Sequence, residues 1–489
     1  MKPYWRILTL LLTLVLALSM FVGCNSEEEE SETFEEETDD GSAVDYFPDI
    51  DKKNYNSKVY MYVLGDSNPN EYYIIEEDKN DGSPMAEAIY NRQLKIQRYL
   101  GAEIVKASVP SGTNHTNYTE LLKTAVKNKD GSLDILVTHV NSGVSALISE
   151  GYLYDLTELN SIDLDAEYWN QEFMQSLELN GHQYLGFSDY NILYTYVVAF
   201  NKKMMAQYEG SLDKSAYQLV KDYEWTWDEL IALANLVYID NGDGKKSVED
   251  TYGITGCQWV SFCGILQASD VNMVEMDESG NYKVVANSDR NFERTEILVN
   301  KIKNLAKSNS SYFDYQKTGN PNVPLTSERT LMQFAATISL DDFLDYNLEF
   351  GVLPYPMYDV EQGKDAGYRG LQWGGYITVP SYTKNITMVG ETLELLAYYA
   401  EPVKITYYEK LLGKQVADMP DDAAMLNIVW NSVCTDFGQT FNGVGGSSGI
   451  CYLIPTLTHV NANQGLSSYF ASTVSSVNNG ITKFLKGLK

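Results

Sequence analysis

Residues 180–205 read NGHQYLGFSDYNILYTYVVAFNKKMM. Asn180-Gly181-His182 is a turn signal, because Asn and Gly tolerate the backbone angles of a tight reversal. The runs on either side of Ser188-Asp189-Tyr190 are rich in Tyr, Val, Ile and Leu, which predicts two buried strands separated by a polar break. Asn201-Lys202-Lys203 then opens a helix that carries Met204 and Met205.

Upstream, strand and helix signals alternate. Residues 58–65 (KVYMYVLG) predict a strand whose end is the loop 66–70. Residues 84–100 place Met85, Ala88, Ile89, Leu94, Ile96 and Leu100 at helical spacing, and Gly101 is the stop. A strand at 102–109, an amphipathic helix at 117–127 and a strand at 133–138 follow. Such alternation predicts a parallel sheet covered on both faces, with ligand beyond the carboxyl ends of its strands. Residues 139–143 form one such end. Gly151 ends the next helix, Leu153 and Leu156 pack back, and Thr157 is a cap candidate.

Downstream, Thr226 with Glu229 three positions on forms a capping box, which gives Trp227 a packing role. Asp240-Asn241-Gly242-Asp243-Gly244 has calcium-loop composition, but with Gly244 as the loop glycine the first ligand position falls on Ile239, so a surface turn is expected. A helix is predicted at 291–307, where Phe292, Ile297, Leu298, Ile302 and Leu305 recur at helical spacing.

Taken in order, these pieces resemble extracellular solute-binding proteins of family 1, the maltose-binding-protein type that serves ABC importers. Residues 180–205 are similar to that family's NGK-x-Y-G-x-P…L-x-Y-N-K-x-x-F, with Gly186-Phe187-Ser188 departing from Gly-x-Pro. Residues 150–157 resemble x-G-x-L-x-D-L-T, 224–230 resemble P-x-T-W-D-E-L, 250–253 resemble D-x-Y-G and 350–356 resemble x-G-V-x-P-x-P. Residues 371–377 resemble its glycine-containing cleft loop. The resemblance spans roughly residues 46–440. It implies an α/β, two-lobe periplasmic-binding-protein type II fold with crossing hinge strands near Asp189 and Leu340 and a helical C-terminal part. Residues 46–190 and 341–400 would form the first lobe, and 191–340 and 401–489 the second.

The resemblance also implies a cleft ligand and an ABC permease partner. Tyr190, Tyr194, Trp259, Trp373 and Tyr376 offer rings to the apolar face of a pyranose. Asp66, His139, Asn141, Asp189, Asp341 and Gln372 offer polar groups to its hydroxyls. A carbohydrate, and an oligosaccharide in particular, is the expected ligand. Charged peptides or polyamines are the alternative, since an acidic cleft favours cations. A surface glycosidase is the other, because two carboxylates such as Asp189 and Asp341 flanking a groove leave no sequence signature.

Composition narrows the field. A hydrophobic fraction of 44% marks a globular chain, and 489 residues suit two lobes better than one core. Lys2 and Arg6 precede an apolar run at 7–22, and Phe21-Val22-Gly23-Cys24 resembles a bacterial lipobox, although Leu is usual where Phe21 stands. Residues 1–23 are therefore read as a lipoprotein signal peptide, with Cys24 lipidated and the protein anchored in the cell membrane on its extracytoplasmic face. Residues 24–45 form an acidic tether; 25–40 hold ten acidic residues in sixteen and cannot build a core. The formal net charge of −31 argues against nucleic-acid binding. Cys257, Cys263, Cys434 and Cys451 lack zinc spacing, which leaves disulfides or buried thiols open. Gly445-Gly446-Ser447-Ser448-Gly449 matches the letters of a nucleophile elbow, but the following residues 450–455 read as a strand ending in Pro, not the required helix. No catalytic residue, metal or cofactor is assigned, and a monomer is expected.

Overall fold

Two sheets frame the protein, and the chain passes from one to the other and back. The computed structural model describes residues 47–63, 75–76, 83–110, 113, 117–139, 143–188, 194–313, 323–344, 346, 348–413, 420–444, 450–459 and 461–488. Cys24, the tether, Asp66, Asn141, Asp189, Tyr190 and the loop 445–449 lie outside these residues.

The first sheet begins with β1 (Ser57–Val63), α1 (Pro84–Leu100), β2 (Ala102–Lys106), α2 (Tyr118–Asn128) and β3 (Ile135–His139). β1 is central, parallel to both β2 and β3. Its alternation buries Val59, Met61 and Val63 and leaves Tyr60 and Tyr62 half-exposed. α1 has its ends written into the sequence. The Ser83 hydroxyl accepts from the amide of Ala86 at 3.0 Å, Pro84 occupies the first helical position, and Gly101 takes φ 64° while its amide bonds Gln97 O.

The second sheet is built on β4 (Tyr196–Asn201), with β5 (Tyr238–Ile239), β6 (Thr251–Thr255), β7 (Thr330–Ala336) and β8 (Phe350–Pro354). All six residues of β4 are buried. It runs antiparallel to β7 and β8, and β7 is parallel to β6. At the end of β4 the Asn201 side chain accepts from Met204 N at 2.9 Å, which opens the helix Lys202–Tyr208.

α3 (Trp227–Ala234) starts at Thr226, whose hydroxyl accepts from Glu229 N at 3.5 Å. Trp227 is fully buried and its indole N–H donates to Ser269 Oγ at 2.8 Å, in agreement with the packing role read from the sequence. Gly253 on β6 lets α3 approach closely: a Cβ there would stand 1.8 Å from Ala234 O. The obstruction is backbone, so it cannot rotate aside. Gly253→Ala is expected to cost about 1–3 kcal/mol of stability. Thermal denaturation checks this, and an unshifted melting temperature would show that α3 yields freely.

Three expectations change. The resemblance places residues 341–400 in the first lobe, yet β8 pairs with β4 in the second sheet. Residues 355–371 stay beside it: Met357 N donates to Trp225 O, and Tyr368 OH to Val220 O. Only β9 (Gly374–Thr378) joins the first sheet, antiparallel to β3, so the return crossing lies at 371–373 and not at Leu340. An apolar run such as FGVLP carries no mark of which sheet it completes. Secondly, residues 401–489 do not all follow the second lobe. After α4 (Ile386–Tyr398), α5 (Glu401–Gly413) lies against α1, and the next helix, Pro420–Asn431, packs on β8. Finally, residues 450–455 are not a strand but a helical turn leading into the helix Leu453–Thr458. Pro455 falls in its first turn, where a missing N–H is tolerated.

α4 ties outlying segments to the first lobe through two buried glutamates. Glu394 accepts from Trp169 Nε1 at 3.0 Å, Asp163 N at 3.0 Å and Tyr168 OH at 2.5 Å. Glu391 pairs with Lys53 and accepts from Tyr55 OH at 2.8 Å. The four described cysteines are free thiols. In the 240–250 loop the carboxylates of Asp240, Asp243 and Asp250 lie within 4.8 Å of one another, and each accepts from amides of its own loop, as in a surface turn.

Candidate ligand-binding cleft

The crossing is where the two sheets meet. Tyr194 and Thr195 leave the first lobe, Ala336 and Thr337 end β7, and Leu371, Gln372 and Trp373 lead back. Trp373 N donates to Tyr194 O at 2.8 Å, Thr337 N to Thr195 O at 2.9 Å, and Thr195 Oγ1 to Leu371 O at 3.0 Å. Gln372 N reaches Cys434 O at 3.0 Å on the strand Val433–Cys434. Four segments distant in sequence are therefore stitched side by side.

This network settles the positions of two predicted site residues. Gln372 is fully buried; its Oε1 accepts from Tyr194 N at 3.2 Å and its Nε2 donates to Gly374 O at 2.5 Å. Tyr376 is also fully buried, its hydroxyl donates to Gln372 O at 3.2 Å, and burial pushes its phenol up to about 12. Both side chains hold the crossing together.

Three other predicted residues form an aromatic group there. His139, the last residue of β3, meets Trp373 edge-on at 5.7 Å and Tyr194 at 6.0 Å. Trp373 is buried and also lies 5.7 Å from Tyr196. Only the backbone of Asp341 is described, at the start of the short helix Asp341–Leu344.

Trp259 stands in a second group, just beyond the carboxyl end of β6. It is 39% exposed, whereas Trp169, Trp225 and Trp227 are sealed in the core. His459 lies 6.0 Å from its ring at a shallow 33°, and Tyr452 lies 6.5 Å away edge-on. Gln258 Nε2 donates to Thr458 Oγ1 at 3.3 Å and fixes the two segments together. Tyr452 lies in residues 450–455, which read as a strand in the sequence, and no local pattern couples it or His459 to Trp259. The group is an aromatic face with a polar edge, suited to stacking on a flat apolar surface.

A separate crevice of about 390 Å³ lies between the helix Gln171–Leu177 and the second lobe, lined by Phe173, Tyr282, Arg369, Cys434 and Asp436 among others. None of the cleft rings lines it. Tyr282 OH donates to Glu178 O at 2.8 Å across it. Burial lifts the Asp436 carboxyl to about 6 despite the amides of Met273, Gln439 and Val274 that point at it.

Two α/β lobes joined by crossing strands define a two-lobed solute-binding protein of the periplasmic type. Residues 105–413 match the bacterial extracellular solute-binding proteins, well over half of the chain, and the protein belongs to that family. No curated protein matches it. Many solved structures share the fold. The GacH receptor of Streptomyces glaucescens GLA.O, described unliganded and with acarbose and an acarbose homologue, is 16% identical at a TM-score of 0.54 over 88% of this chain and 99% of its own. The ABC substrate-binding protein Lmo0181 of Listeria monocytogenes, in complex with cycloalternan, is 13% identical at a TM-score of 0.51 over 88% of this chain and 100% of its own. No described helix is long and apolar enough to cross a membrane.

Proposed function

We propose that this solute-binding protein captures an oligosaccharide between its lobes and delivers it to an ABC permease. It acts as a monomer on the extracytoplasmic face, anchored through lipidated Cys24. The observation that carries the ligand class is the pair of aromatic groups, His139–Tyr194–Trp373 beside the crossing and Trp259–Tyr452–His459 beyond the carboxyl end of β6. Rings at a seam stack on the apolar faces of pyranoses, and neighbouring polar groups take the hydroxyls. That both structural neighbours were solved with saccharide-type ligands supports the same class. Closing the lobes by a hinge at 194–195 and 371–373 would bury the sugar and present a shape the permease recognises.

The test is a thermal-shift screen over oligosaccharides, peptides and polyamines, followed by product analysis. A cognate sugar at a hundredfold excess over its Kd adds about 2.7 kcal/mol of stability, and no product forms. A shift with spermidine alone would overturn the ligand class, and release of a cleaved sugar would overturn the binding-protein reading.

A further inference from the structure

Tyr196 carries a buried hydroxyl at the crossing that is unsatisfied among the described residues. The residue is 2% exposed, and its hydroxyl has no hydrogen-bond partner among the described residues. The neighbouring buried tyrosines all find one. Tyr355 OH donates to Ser261 O at 3.1 Å, Tyr376 OH to Gln372 O at 3.2 Å and Tyr407 OH to Thr337 O at 2.8 Å. A buried hydroxyl without a partner destabilises a fold, and a phenylalanine would fill the same space without that penalty.

The ring cannot turn away to find water. It stacks on Tyr355 at 5.7 Å and 22°, lies 5.7 Å from Trp373, and packs so tightly on Gly264 that a Cβ there would come within 2.6 Å of its Cδ2. Its surroundings belong to both halves of the cleft. Burial pushes the phenol far above its ordinary range, and Cys263, Tyr194, Tyr355 and Tyr452 add to the effect. Tyr194 is a member of one aromatic group and Tyr452 of the other. The Tyr196 ring itself touches Trp373 of the first group and Gly264, which ends the helical segment carrying Trp259 of the second.

We propose that the Tyr196 hydroxyl is a specificity-determining contact of the cleft, taking a hydroxyl group of the bound sugar between the two aromatic groups. This rests on the carbohydrate reading. A phenol both donates and accepts, so it pairs with a sugar hydroxyl in either sense. The unmet hydrogen bond in the free protein would then be completed only when ligand arrives.

Tyr196→Phe keeps the ring and removes only the oxygen. With the sugar found in the screen, its affinity is expected to fall about five- to tenfold, the size of one hydrogen bond, while the melting temperature of the ligand-free protein stays the same or rises. Monodeoxy analogues of that sugar give the second readout: one of them binds the parent protein more weakly than the intact sugar, and Tyr196→Phe no longer tells the two apart. Unchanged affinity in the variant, or a ligand-free protein destabilised in step with lost binding, would overturn the inference and leave the carbohydrate reading standing. If no sugar binds the parent protein, that reading falls, and the inference with it.

Discussion

Replacing Trp373 by alanine is expected to lower the unfolding free energy by about 3–5 kcal/mol, whereas the same change at Trp259 moves it by about 1 kcal/mol or less. Both tryptophans offer rings to the proposed cleft, so composition does not separate them. Burial does. Trp373 is 3% exposed and wedged between His139 of the first lobe and Tyr196 of the second. Its backbone amide is also one of the bonds that stitch the crossing. Removing the indole leaves a cavity where the lobes are joined, and segments held by several hydrogen bonds cannot collapse into it. Trp259 keeps 39% of its surface in solvent, and its loss strips one ring from the His459–Tyr452 group without opening the core. Urea denaturation measures the two stabilities, and titration with the cognate sugar measures binding. Trp259→Ala should weaken binding at least tenfold, the worth of one stacked ring, with its unfolding curve nearly unmoved. Equal destabilisation by both changes would mean that Trp259 is a core residue and that the outer wall of the cleft lies elsewhere.

That contrast shows what the sequence can and cannot reveal. α1 was legible because the apolar spacing over residues 84–100 and the stop at Gly101 point the same way. The turn at Asn180-Gly181 was equally plain, and both residues adopt positive φ. The FGVLP strand was legible as a strand, but its place in the second sheet depends on a register with β4 that no local pattern encodes. Gln372 and Tyr376 are of types that suit a cleft loop, and type does not tell a side chain that faces ligand from one bonded to its own backbone. Tyr196 lies more than 250 residues before Tyr452 and His459, and that pair meets Trp259 only through the tertiary fold. The resemblance supplied the order of the pieces; the packing at the seam decides which side chains remain available.

Acidification from pH 7 to pH 5 is expected to stabilise the protein, by up to a few kcal/mol. Asp134 and Asp436 are both buried, and burial lifts each carboxyl from 3.8 to about 6. An acid whose pKa is raised by folding binds its proton more tightly in the native state than in the unfolded chain. Between about pH 4 and pH 6 the native protein therefore holds more protons, and stability declines as pH rises through that window. A rise of two units corresponds to roughly 3 kcal/mol per group as a ceiling. Glu394, also raised by burial, acts in the same sense. So does the overall charge of −31, whose self-repulsion fades on approach to the isoelectric point near 4.4. Asp155 opposes them: burial would raise it, but bonds from Gln183 N, His182 and Thr157 hold it below its ordinary value. Its contribution is present above the ordinary carboxylate range and is lost as the pH falls further, so the optimum should lie near about pH 4–5. Asp134→Asn isolates one group, because an amide oxygen can still accept from Tyr60 N, as the carboxylate does at 2.9 Å. That variant should be more stable than the parent at pH 7, equal to it near pH 4, and less steep in between. Urea denaturation across this range tests both statements. Flat stability between pH 5 and pH 7 would mean that the amides facing Asp436 and Asp134 outweigh their burial.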